Sequence, residues 1–229
     1  MKKVFIVLLI GLLMLCVTAC GDTSEPVVNN TTAATTTSTT LSSDPRLTIA
    51  DVQAAPVTDE SLFKVREIEG GVTITKFTGT NEIVVIPETV GGKKVVAISG
   101  NSFANNTTMR GIKIADSIHT LGEASFVNSS ALEIVIMGSG MKTLSRNCFA
   151  GCDKLTTAVL NDGLESITCA FGGASFKRVE MPSSIKHLDY PIVAHSQREF
   201  CVIVAEAGSY VEQYVKENGE KQGLVFEAK

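Results

Sequence analysis

Residues 132–154 read "LEIVIMGSGMKTLSRNCFAGCDK". The short apolar runs EIVIM and MKTL are separated by Gly and Ser, and Phe149 follows in a turn flanked by Cys148 and Cys152. Alone, such a stretch fits several folds. Its neighbours decide, because Phe103, Phe126, Phe149 and Phe171 fall at intervals of 23, 23 and 22 residues. Val95, Ile118, Met141 and Leu164 keep a strict 23, as do Ile98, Leu121, Leu144 and Ile167. Apolar ladders in phase define a repeat, and a unit this small buries its apolar side only by stacking on the next unit.

The preceding unit is "MRGIKIADSIHTLGEASFVNSSA" (109–131) and the following one "LTTAVLNDGLESITCAFGGAS" (155–175). The unit from Glu82 carries an inserted VGGKK, and "FKRVEMPSSIKHLDYP" from Phe176 loses the phenylalanine motif. About four to five coils therefore span residues 81–198. Runs rich in β-formers between Asn, Gly and Ser predict two strands per coil, and hence a mainly β, parallel repeat solenoid with right-handed coils.

The end coils of such an array expose apolar faces and need covers. Residues 46–80 supply alternating strands joined at Gly70-Gly71, a hairpin cap. Residues 199–229 supply the strand EFCVIV and a helix. Ser209 and Glu212 have capping-box spacing, Tyr210, Val211, Tyr214 and Val215 share one face, and Asn218-Gly219 is the expected stop.

The pattern L-x-x-V-x-I-P, V-x-x-I-G, A-F-x-x-C-x-x-L, carried here by "IVVIP", "SIHTLGEASF" and "NCFAGCDKL", resembles the BspA-like leucine-rich-repeat family of bacterial surface proteins. The resemblance runs from about Phe63 to Phe226, with Met137-Gly138 and Leu160-Asn161 replacing the I-P dipeptide. It implies surface exposure and suggests attachment to host or neighbouring cells.

The N-terminus fits such a location. Lys2 and Lys3 precede the apolar run VFIVLLIGLLMLCV and the small-residue stretch VTAC, the layout of a signal peptide over residues 1–19. A retained membrane helix is the alternative, but the run is short for a span. VTAC resembles the lipobox of bacterial lipoproteins, which makes Cys20 the expected lipidation site and a diacylglyceryl chain pair the membrane anchor. Two acyl chains suffice for stable attachment where one is marginal. Residues 20–45, rich in Thr, Ser and Asn, have too few large apolar residues for a core and read as a tether. The expected location is extracytoplasmic, lipid-anchored and exposed at the cell surface.

Without residues 1–19 the chain has 18 basic against 24 acidic residues, which argues against nucleic acid as a partner. Of the histidines His119, His187 and His195, the first two lie three coils apart and out of phase, so they do not share a metal and read as solvated strand residues. No G-x-S-x-G, H-E-x-x-H or phosphate-cradling glycine loop occurs. No enzyme activity, cofactor or small-molecule substrate is expected. A single repeat array also lacks the second lobe of a hinged substrate-binding lipoprotein.

What remains is a surface. In the first strand of each coil the core takes Ile112 and Ile114, Val135 and Met137, Ala158 and Leu160, and Val179 and Met181. Lys113, Ile136, Val159 and Glu180 must face outward, beside Gly111, Ile134, Thr157 and Arg178 and flanked by Arg110, Glu133, Thr156 and Lys177. The expectation is an exposed apolar centre with charged ends that binds an extracellular protein partner. Two alternatives stand beside it: a partly covered sheet rich in β-formers, and a structural envelope spacer without a ligand. Cys152 matches the family's turn cysteine. Cys148 lies near Cys169 one coil on, and a bridge between them is open on this spacing.

Overall fold

The computed structural model describes residues 46–189, 191–194 and 200–229. The signal segment, Cys20, the tether to Pro45 and His195 lie outside them. The chain enters through helix α1 (Ile49–Ala54), then a hairpin of β1 (Phe63–Ile68) and β2 (Gly71–Phe77). Gly70, at φ 82°, makes the turn between these strands. Next come β3 (Ile83–Val85), β4 (Thr89–Val90), β5 (Lys93–Ile98), β6 (Gly111–Lys113), β7 (Thr120–Leu121), β8 (Ile134–Ile136) and β9 (Thr143–Leu144). They are followed by β10 (Thr157–Val159), β11 (Ser166–Ile167), β12 (Phe171–Gly172), β13 (Arg178–Glu180), β14 (His187–Leu188), β15 (Val193–Ala194) and β16 (Cys201–Ala205). Helix α2 (Tyr210–Gln222) and β17 (Leu224–Ala228) close the chain.

Two strands per coil stack into two walls. One sheet runs β1-β2-β5-β7-β9-β11-β14, parallel from β2 onward, with β4 beside β5. The opposite wall runs β3-β6-β8-β10 and is followed by a separate sheet, β13-β16-β17. About six turns result, more than the four to five coils read from the ladders. The extra rungs are β2 of the hairpin, which supplies Phe77 and pairs with β5 across a bulge after Val72, and the C-terminal strands, which pair in register although their sequences drop the phenylalanine motif.

The three ladders are core columns. Phe77, Phe103, Phe126, Phe149 and Phe171 form a stacked spine with centroid separations of 5.3, 4.7, 5.0 and 5.5 Å, and Phe63 and Phe176 close its ends. The amides of Phe77, Phe103, Phe126 and Phe149 donate to the next coil, as Phe126 N does to Cys148 O and Phe149 N to Ala170 O. The backbone thus fixes the ring spacing.

The cysteines of NCFAGCDKL replace serines in this frame. Cys152 Sγ donates to Phe126 O as Ser129 Oγ donates to Phe103 O one coil earlier. Cys148 Sγ donates to Ser145 O at 2.9 Å, as Ser102 Oγ does to Ser99 O at 2.7 Å. No disulfide joins Cys148 to Cys169. Cys148 is fully buried in the serine column, whereas Cys169, at φ 44°, takes the left-handed position of Asn147, so the two occupy different columns. Burial pushes both the Cys148 and Cys152 thiols up to about 12.

At the C-terminal end α2 starts as expected at Ser209, whose side chain accepts from Glu212 N. Glu212 turns back to Gly208 N, one residue before the cap. The helix does not stop at Asn218-Gly219 but runs to a left-handed Gly223. Gly219 serves close approach instead, since a Cβ there would lie 2.7 Å from Leu224 O. That fit lets β17 return beside β16.

A candidate interaction surface

On the wall of β3, β6, β8 and β10 the register is strict. Ile83, Gly111, Ile134 and Thr157 form one outward column, and Val85, Lys113, Ile136 and Val159 the other. The inward column between them is Val84, Ile112, Val135 and Ala158. Side-chain alternation follows from the pleat, so every second residue of these strands faces out of the core.

Ile134 and Ile136 are nevertheless not exposed. They are only 3% and 7% accessible, because α1 lies across them. Thr48 caps this helix: its hydroxyl accepts from Asp51 N, while Asp51 Oδ2 accepts from Thr48 N at 2.9 Å. The Thr48 hydroxyl also donates to Asp51 Oδ2 at 2.6 Å, and this bond first, then that from Thr48 N, holds the Asp51 carboxyl below its ordinary value. Leu47 precedes the cap and Val52 follows at the fourth helical position, the spacing of a hydrophobic staple. Val52 is fully buried with Ile134 and Ile136, and Leu47, Ile83 and Val159 pack around them. After the helix, Thr58 N donates to Val85 O at 3.0 Å and Thr58 Oγ1 accepts from Val85 N at 2.9 Å. The apolar centre expected to be bare therefore carries a strap made of this chain's own residues 47–58.

The motif Leu47-Thr48-x-x-Asp51-Val52 was a sequence signal for that strap, combining capping-box spacing with a staple. Six helical residues with one buried side chain leave too little periodicity to show it.

The other residues of the face divide by position. Arg110 and Glu133 are half-buried and joined by two hydrogen bonds of 2.8 and 3.2 Å, which raise the Arg110 pKa above its ordinary value. Lys113, Thr157 and Val159 are half-buried, and Lys177, Arg178 and Glu180 are exposed. Arg178 forks onto Glu227 at 2.5 and 2.8 Å, and Glu180 pairs with Lys229 at 2.9 Å. The sequence-predicted set thus splits into a pair beside the strap, a covered centre, and a charged end held by β17.

Between that end and the centre the wall is open. β10 ends one sheet and β13 begins another, with no ladder joining them, whereas β11 and β14 opposite remain paired. A cleft of about 320 Å³ occupies the gap, lined by Ile49, Val159, Leu160, Glu180, Pro182 and Lys229 among others. Its floor is apolar and its rim carries both charges, so it is suited to an apolar side chain with polar flanks. Among the described residues, no group of three His, Cys, Asp or Glu is placed to hold a metal ion. Nor is any of their helices long and apolar enough to cross a membrane.

Comparison with known proteins agrees with this architecture. The model of the BspA-type leucine-rich-repeat region matches residues 77–198 in six copies. A crystal structure of a leucine-rich-repeat protein from T. pallidum superposes with a TM-score of 0.56 at 18% identity, covering 65% of this chain and 71% of that one. Another, from Bacteroides ovatus, gives a TM-score of 0.48 at 18% identity over 76% of this chain and 52% of that one. At this identity the likeness to the T. pallidum protein is one of fold. No curated protein matches the chain.

Proposed function

Since the chain belongs to the BspA-type leucine-rich-repeat family, a bacterial repeat fold used for interaction, we propose that it is a lipid-anchored cell-surface protein whose first-strand wall binds an extracellular protein. The observation that carries this reading is the cleft at Val159, Leu160 and Pro182, an apolar recess with Glu180 and Lys229 at its rim where the wall opens. Recesses that combine an apolar floor with a few placed polar groups are where binding energy concentrates. Lys177, just before β13, adds exposed positive charge to the same end of the wall. The lipobox at Cys20 and the tether to residue 45 support display at a surface, with the diacylglyceryl group as the membrane contact. The reading involves no enzyme chemistry, cofactor, nucleic acid or small-molecule substrate.

The test has two arms. Metabolic labelling with a radioactive fatty acid is expected to mark the full chain and to be lost in Cys20→Ala. Capture of surface proteins from neighbouring cells is expected to fall with Val159→Glu and with Lys177→Glu, but not with Thr143→Glu on the opposite wall. Capture unchanged by the first two would refute the binding face.

One observation favours a second reading, a structural spacer without a ligand. The chain covers the middle of its own apolar face, so part of what suggested a binding patch is internal packing. Under that reading no captured protein depends on Val159.

A further inference from the structure

We propose that residues 47–54 of this strap are exchangeable, and that the seat on β6 and β8 takes the same segment of a second copy of this chain. Two molecules would then join by exchanging their N-terminal helices. The inference rests on the reading above that this wall is the contact face, and it names one partner for its covered centre.

The seat is shaped for this segment. Gly111 is the one outward residue of its column without a side chain, and a Cβ there would lie 2.6 Å from Val52 Cγ2 and 2.9 Å from Leu47 Cδ2. Ile83, Ile134, Ile136 and Val159 supply the apolar surroundings. The occupant that fits the seat is therefore on the page, and every copy of the chain carries it.

The strap's hold is local. Val52 is the only buried residue of a six-residue helix, a length that is not helical alone in water. Folding of the helix and its docking are thus one event, equally served by its own seat or another molecule's. Between α1 and the first anchored residue, Thr58, lie Ala55, Pro56 and Val57. Ala55 is extended (φ −64°, ψ 143°), and Val57 is 64% exposed. This three-residue connection can change direction without disturbing the Thr58–Val85 hydrogen bonds. Short hinges of this kind are where domains exchange at low cost, and a twofold exchange makes every contact twice.

Because closed and exchanged forms share their strap contacts, exchange depends on concentration. Confinement to a membrane surface, as proposed above, raises that concentration.

The test traps exchange covalently. Val52→Cys and Gly111→Cys are introduced singly into two differently tagged full-length chains that also carry Cys20→Ser. The close approach of the Gly111 position to Val52 places the new thiols near disulfide range. Oxidising the mixture is expected to double the mass of one chain on a non-reducing gel, with a 52–111 bond found by peptide mass mapping. Val52→Cys mixed with Thr143→Cys is expected to give no such bond. Absence of the 52–111 bond, or Gly111→Cys linking only to a different protein, would overturn exchange. As a check independent of these variants, amides of residues 49–54 in the unsubstituted chain are expected to exchange hydrogen faster than those of β8. Equally slow exchange would also overturn the proposal, because the strap would then leave only on global unfolding. Capture is measured separately with Lys177→Glu, which lies outside the seat, so failure of exchange and failure of the binding reading give different results.

Discussion

Phe149→Ala should be far more damaging than truncation at the end of the spine. Phe149 is fully buried and sandwiched between Phe126 at 5.0 Å, with the rings 8° from parallel, and Phe171 at 5.5 Å and 13°. Truncating a buried phenylalanine to alanine costs about 3–5 kcal/mol, the cost rising with the cavity that remains. Two stacked partners, each contributing about 0.5–1.5 kcal/mol beyond area, push the estimate to the upper end. Collapse cannot offset it, because Phe126 N and Phe149 N are bound to the following coils and hold the ring planes apart. Phe63 sits at the spine's end, tilted 38° to Phe77, where the hairpin can relax. Its truncation should cost about 3 kcal/mol, the lower end of the same range. In urea, a loss of 4–5 kcal/mol lowers the midpoint by about 2 M at an ordinary slope of roughly 2 kcal/mol per M. Loss of less than about 1 kcal/mol at Phe149, below any full core truncation, would refute a continuous spine. An equal or larger loss at Phe63 would refute the argument from position.

Other consequences are as direct. Ser125 Oγ is buried without a hydrogen-bond partner, while Ser102 Oγ donates to Ile74 O and Ser99 O. Ser125→Ala should therefore leave urea stability unchanged or raise it by about 1 kcal/mol, whereas Ser102→Ala should lower it by a similar amount. The buried thiols of Cys148 and Cys152, pushed up to about 12, should stay unreactive toward a thiol reagent at pH 8 until urea unfolds the chain. Hydrogen bonding to Arg178, Lys216 and Lys186 holds the carboxyls of Glu227, Glu212 and Glu165 below their ordinary 4.5. Their contribution is present above pH 4.5 and lost as pH falls through the lowered values, so the melting temperature should drop modestly in acid. Glu227→Gln should make that drop smaller.

The parts of this fold legible in the sequence were those where the repeat forces one residue type into one column. Phe103 to Phe171, and the ladders from Val95 and Ile98, specify register because a slip would expose a buried row. The inward and outward parity of the first strands followed from the same constraint. Ile134 and Ile136 were read as facing out of the core, and they do. Their cover has no local signal, because the covering group lies far away in sequence and contributes only Leu47 and Val52. Asn218-Gly219 looked like a helix stop because glycine there has two uses, ending a helix or admitting a neighbour. Only the position of Leu224 distinguishes them. The opening between β10 and β13 had no local signal beyond Ala158, the smallest member of the inward column.

The central claim is that the exposed end of the first-strand wall is where this protein meets a partner. A photo-crosslinking residue placed at Val159, and separately at Thr143 on the opposite wall, tests it in cells displaying the full chain. The account predicts a discrete adduct with a different protein from position 159 and none from 143. No adduct at 159, or the same adducts from both positions, would contradict it.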